Sequence, residues 1–172
     1  MIIDLVENVL IKCLTTWHDT ALTTFEYSPS YSENTLEYFI ERISYHDYQG
    51  WHYEDLGQQS ESEKIIRGWR GSQVNNKNRN HCIQQLDLFF EKYYQADAEC
   101  HTETLGVILD KLSILYLKYL HLLDISRIKA DSLLSVIQEL VHEAQVLYDQ
   151  ILLGKKKCIM IPHLKLYDEH AQ

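Results

Sequence analysis

The chain has 172 residues, 45% hydrophobic and 24% charged, with a net charge of −9 at pH 7. A chain of this length matches one domain and buries ~70% of its unfolded surface, and its acidic balance argues against a nucleic-acid binder, which carries a basic face. No apolar run reaches the ~18 residues that a membrane span needs, and six glycines and two prolines favour long helices over a turn-rich β fold.

The first predicted helix covers residues 2–25, where Ile3, Val6, Leu10, Cys13, Trp17 and Ala21 recur at helical spacing. The start, Met1-Ile2-Ile3-Asp4, carries a charge at position four and is no secretory signal. Tyr27 to Ser32, with Pro29, reads as a loop. The second helix covers 34–56, with Leu36, Phe39, Ile40, Ile43, Asp47, Trp51 and Glu54 on one face and Gly57 as its stop. Ser60 and Glu63 resemble a capping box for the third helix, 61–96. Its apolar stripe begins with Ile65, Ile66 and Trp69 and ends with Ile83, Leu86, Phe89, Phe90 and Tyr93; between them stand Gln73, Asn76, Arg79 and Asn80.

After a short link, Thr104 caps the fourth helix, 105–124, which is apolar nearly all round and so belongs at the centre of a bundle. The fifth, 128–153, has a clean seam from Leu133 to Ile151 and stops at Gly154. Lys155, Lys156 and Lys157 then complement the helix dipole, and the tail, 155–172, alternates as an extended segment packed along the bundle. The expectation is an all-α, single-domain bundle of about five helices with an extended C-terminal tail. Cys13, Cys82, Cys100 and Cys158 form no Cys-x-x-Cys pair and read as reduced thiols in a cytoplasm.

Three polar clusters interrupt these apolar faces. Trp51, His52, Glu54 and Asp55 span an arc of about 160° on a helix, so all four can face one pocket. An imidazole with two carboxylates suits acid–base chemistry or a metal; the plainer alternative is a helix end with Trp51 in the core and the rest solvated. Asn76, Arg79 and Asn80 share the inward face of the third helix. A guanidinium flanked by amides suits a carboxylate or phosphate, and Asp110, Glu54 or Asp55 would serve equally as an internal partner. Asp110, Ser113 and Lys118 lie on the otherwise apolar fourth helix, as an internal ion network or as the floor of a site. Glu139-x-x-His142 has the spacing of carboxylate-bridged di-iron bundles, but only one copy exists and such bundles need two.

These clusters resemble the motifs of a bacterial family called domain of unknown function 4254. Trp51-His52-x-Glu54-Asp55 is similar to its Trp-His-x-Glu-Asp signature. Asn76, Arg79 and Asn80, with Asp87 further along, resemble its Asn-x-x-Arg-Asn-Asp helix. Thr102 to Gly106, Asp110 to Leu115 and Lys118 look like its Asp-Arg-Leu-Ser-Ile-Leu segment, and Leu164 to Asp168 like its close. The resemblance covers about residues 35–168. Three departures stand out: His81 replaces an Asp, Asp47 an Asn, and Leu105 a helix-opening Pro. The resemblance implies a helical fold, a bacterial setting, and genes that look associated with glycosyltransferases and surface-polysaccharide synthesis.

Three functional readings follow. In the first, the clusters meet as a site for a phosphorylated or nucleotide-linked sugar: Arg79 and Lys118 hold the anion, Asn76 and Asn80 orient it, Trp51 and Asp110 complete the walls, and His52 with Glu54 or Asp55 does acid–base work. In the second, the polar residues are structural and the protein is an adaptor for a partner enzyme or a homodimer. The third is a metal-dependent hydrolase on His52, Glu54, Asp55 and His81; on the other readings no metal is expected. The sequence identifies no cofactor.

Overall fold

The computed structural model describes residues 1–21 and 25–160. The first rod, α1, runs through Ile2–Leu5, a wider π-helical stretch Val6–Ile11, and Lys12–Trp17. It then stops, short of the expected residue 25. The Thr20 amide turns back onto the Trp17 carbonyl at 2.8 Å, and the Tyr48 hydroxyl donates to the Thr20 carbonyl, so a tertiary tie replaces the next helical turn. Residues 22–24 of the expected helix lie outside the described residues.

Helix α2 is Leu36–Gly57, and the Thr35 hydroxyl caps it by accepting from the Tyr38 amide at 3.2 Å. Helix α3 is Ser62–Glu91. Its N-cap is Glu61, with no side-chain cap bond, so the expected Ser60–Glu63 capping box is not formed. The helix ends five residues before the expected boundary, as Tyr93 and Tyr94 turn back onto Phe90 and Glu91. Helix α4 is Leu105–Ile125, and Thr104 caps it as expected, accepting from the Val107 amide at 3.2 Å. Ser126 alone separates it from α5, Arg127–Leu152. Gly154, at φ 67°, supplies the left-handed turn after α5.

Helix α4 touches each of the other four rods. It buries Leu105, Ile108, Leu109, Leu112, Leu117 and Leu120 among others, the central position that its composition implies. The short strands β1, Glu99–His101, and β2, Lys156–Cys158, pair in parallel and clip the α3–α4 link to the chain beyond α5. The extended tail begins with β2; residues 161–172, with Leu164 to Asp168, lie outside the described residues. Cys13, Cys82, Cys100 and Cys158 are all free thiols.

The α2–α3 hairpin departs most from expectation. Ile65, Ile66 and Trp69 are 39%, 50% and 65% exposed, and Gly68 and Asn75 are buried instead. The reason is a close approach of backbones. A Cβ at Gly68 would stand 2.6 Å from the Gly57 nitrogen and 2.7 Å from the Tyr53 carbonyl oxygen, and one at Gly71 would meet the Tyr53 ring. Glycine seats α3 against α2 there, so the bulky apolar residues of that half-helix face outward.

Candidate functional site

Between α2, α3 and α4 lies a cleft of about 320 Å³, walled by Ile114 and Leu117 of α4 and by Gly50 and Trp51 of α2. Its polar lining is Asp47, Glu54, Asp55, Ser72, Asn76 and Arg79. Five residues singled out in the sequence therefore converge here: Trp51, Glu54, Asp55, Asn76 and Arg79. They do so because positions 47, 51, 54 and 55 follow one flank of α2, and 72, 76 and 79 follow the facing flank of α3.

Arg79 is the hinge of the charge arrangement. Its Nη1 donates to Asp47 Oδ1 at 3.3 Å, and its Nε stands 3.5 Å from Asp110 Oδ1. The Asp47 side chain is wholly buried, that of Asp110 12% exposed and that of Arg79 26%. Burial, and then the Asp110 carboxylate, push Asp47 well above the usual carboxylate range, against the opposing pull of Ser113 and Arg79. Burial raises Asp110 as well, with Arg79 and Lys111 opposing. Two carboxylates cannot both ionise cheaply in such a place. With one proton on Asp47, the trio of Asp47, Asp110 and Arg79 is neutral.

Contacts within this network are loose: Arg79 Nε and Asp110 Oδ1 face each other at 3.5 Å, and Asp47 Oδ2 and Ser113 Oγ are buried without a well-formed hydrogen bond. Such atoms are costly and rare. Asp47 borders the cleft with its side chain wholly buried and one carboxyl oxygen held by Arg79. At the cleft's edge Ser72 donates to Glu54 Oε1 at 3.0 Å, which fixes one carboxylate near the mouth.

Other singled-out residues stand elsewhere. The His52 ring lies 4.6 Å from the Tyr48 ring, toward the end of α1, and is not part of the cleft lining. Burial lowers its pKa, with Asp55 opposing. Lys118 is exposed and Asn80 half-buried, and neither lines the cleft. Lys118 therefore does not line the cleft beside Arg79, whose partners are the two carboxylates. Glu139 and His142 are both exposed on α5. Among the described residues no group of three or more His, Cys, Asp or Glu is placed to hold a metal ion.

In the sequence Asp47 stands out as a carboxylate on the apolar face of α2 and as a departure from the family's Asn, without a site role. The available signal was a carboxylate amid Ile40, Ile43 and Trp51 at helical spacing. His121 was also passed over: its ring stacks on Trp51 at 4.3 Å and 10° and lies 4.6 Å from His18.

These features define a helical-bundle protein with a carboxylate-rich cleft built on a buried Asp–Arg–Asp network. Residues 37–152, more than half of the chain, match the family described as protein of unknown function (DUF4254), and the chain belongs to that family. No curated protein and no solved structure matches it.

Proposed function

We propose that the cleft binds a hydroxyl-rich small molecule and acts on it by proton transfer. The observation that carries this reading is Asp47: a wholly buried carboxyl with a raised pKa, set behind the cleft wall with one oxygen tied to Arg79. A carboxyl whose burial favours its protonated form suits the role of general acid. Glu54 and Asp55 at the mouth are the partner carboxyl groups, Asn76 donates and accepts toward hydroxyls, and Trp51, Ile114 and Leu117 supply the apolar wall of a sugar-sized site. The formal charges of the lining favour a neutral polyol over an anion. The sugar ring of a phosphorylated or nucleotide-linked sugar is the ligand that the family's association with polysaccharide synthesis favours.

The test is thermal melting with free monosaccharides, sugar phosphates and nucleotide sugars on wild type, Asn76→Ala and Asp47→Asn. Ligand at a hundred times its dissociation constant adds ~2.7 kcal/mol, a rise of roughly 5–10 °C for a chain of this size. The expected result is a shift with an unphosphorylated sugar that Asn76→Ala abolishes. Asp47→Asn keeps the fold and binds the sugar but turns nothing over. A sugar shift indifferent to Asn76→Ala would sink the proposal.

A second reading has its own support. Ile65, Ile66, Trp69 and Val74 of α3 are 39–65% exposed, an apolar surface suited to a partner or a second copy. In that case the Asp–Arg–Asp network is structural, the sugar panel is flat, and light scattering shows an assembly that Trp69→Glu disperses.

A further inference from the structure

The opposite flank of the α2–α3 hairpin carries a second cavity, of about 830 Å³, lined by those two helices alone. Chain neighbours divide between the two cavities: His46 lines this one and Asp47 the cleft, Asn75 this one and Asn76 the cleft, Asn78 this one and Arg79 the cleft. Arg42, Arg67 and Arg70 line this cavity against one carboxylate, Glu63. In a chain of net charge −9 this is a local reversal of sign.

None of the three guanidiniums pairs with a carboxylate among the described residues; the arginines in ion pairs are Arg79 and Arg127. Arg42 is half-buried, and its contacts are with neutral groups. Its Nη2 meets His46 Nε2 at 3.3 Å, its guanidinium carbon lies 5.6 Å from the Tyr27 ring centroid, and the Cys82 thiol, raised by burial, stands beside it. The Asn75 amide donates to the His46 carbonyl at 2.6 Å, so its Oδ1, 2.9 Å from His46 Nδ1, is the acceptor. The His46 proton therefore sits on Nδ1, and Nε2 accepts from Arg42. His46 and Asn75 are each 3% exposed. Buried His46, itself held by buried Asn75, thus holds a half-buried cation that has no anion among the described residues, and a buried charge calls for a partner. Beside it, the absent Cβ of Gly71 lets the Tyr53 ring approach α3 closely as a cavity wall.

We propose that this cavity binds a phosphate ester carrying a planar ring, of the nucleoside diphosphate class. The guanidiniums of Arg42, Arg67 and Arg70 take the phosphoryl oxygens, for which their planar fork is shaped. Tyr53 meets the ring, and the volume exceeds what phosphate alone fills. The inference is independent of the proton-transfer reading, since it uses no residue that lines the cleft.

The experiment is calorimetric titration of the full chain with uridine diphosphate, pyrophosphate and orthophosphate. Uridine diphosphate is expected to bind most tightly, with an affinity that falls as salt rises. Arg42→Gln and the exposed Arg70→Gln each weaken it tenfold or more, whereas Asn76→Ala, on the opposite flank, leaves it unchanged. Arg70→Gln guards against a folding defect at the half-buried position. Absence of heat with all three probes at millimolar concentration overturns the site. Equal affinity for pyrophosphate and uridine diphosphate overturns the role of Tyr53, and affinity unaffected by either arginine substitution overturns the anion subsite.

Discussion

Arg79 separates two carboxylates that would otherwise repel each other across the interior. Removing it leaves Asp47 without a counter-charge and Asp110 with Lys111 alone, so Arg79→Ala is expected to cost about 3–5 kcal/mol at pH 7.5. The loss depends on pH in a defined direction. Asp47 and Asp110 have folded pKa values above the unfolded ones, so their stabilising contribution is present in acid and disappears as pH rises through the folded values. Without Arg79 those values climb further, and the destabilisation at pH 5 is smaller than at pH 7.5. Urea unfolding of both proteins at the two pH values measures this. An equal loss at both would mean that Arg79 contributes packing rather than charge. The positions at this scale were unequally legible. Trp51, Glu54, Asp55, Asn76 and Arg79 advertise themselves by being polar or amphipathic at i, i+3 and i+4. His52 shares that spacing yet turns toward Tyr48, because a helix offers several flanks and the sequence does not say which one another helix will cover.

At the scale of elements, α2 and α3 are held together by missing side chains. Gly68→Ala gains up to about 1 kcal/mol of helix propensity. It also drives a methyl group into the backbone of Tyr53 and Gly57, which has no rotamer by which to yield. The net expectation is a loss of about 1–3 kcal/mol. Gly57→Ala is the matched control: a Cβ there meets nothing within 4 Å, so it is neutral or stabilises by about 0.5–1 kcal/mol. Thermal melting of the two variants side by side checks the sign of each. This seam also explains which elements could be read in advance. Helix α4 is apolar on every side, and Thr104 and Gly154 punctuate the chain by their own chemistry, so these features follow from local sequence. In α3, Ile65, Ile66 and Trp69 look like core, but a surface made of glycine has no hydrophobic signal, and tertiary contact overrides the pattern.

For the whole molecule, burial lowers the pKa of His46, His52 and His121 below the ordinary 6.5. Each is neutral in the folded state and takes up a proton more readily when unfolded. Their contribution is complete above about pH 6.5 and is lost as pH falls through the folded values, opposite in sense to that of Asp47 and Asp110. The melting midpoint is expected to fall by about 2–4 °C between pH 7 and pH 5 on this account. His121→Gln should flatten that limb, and an unchanged slope would remove His121 from the explanation. Among the described residues no helix is long and apolar enough to cross a membrane.

The back-to-back placement of the two cavities has a thermodynamic consequence. Successive residues on a helix point about 100° apart, so His46 and Asp47, Asn75 and Asn76, and Asn78 and Arg79 are fixed in mutual orientation across one wall. A small roll of α3 that advances Asn76 and Arg79 into the cleft withdraws Asn75 and Asn78 from the other side. Were both cavities filled, such a roll would set their occupants against each other. Whatever factor one imposes on the affinity of the other, it must receive in return.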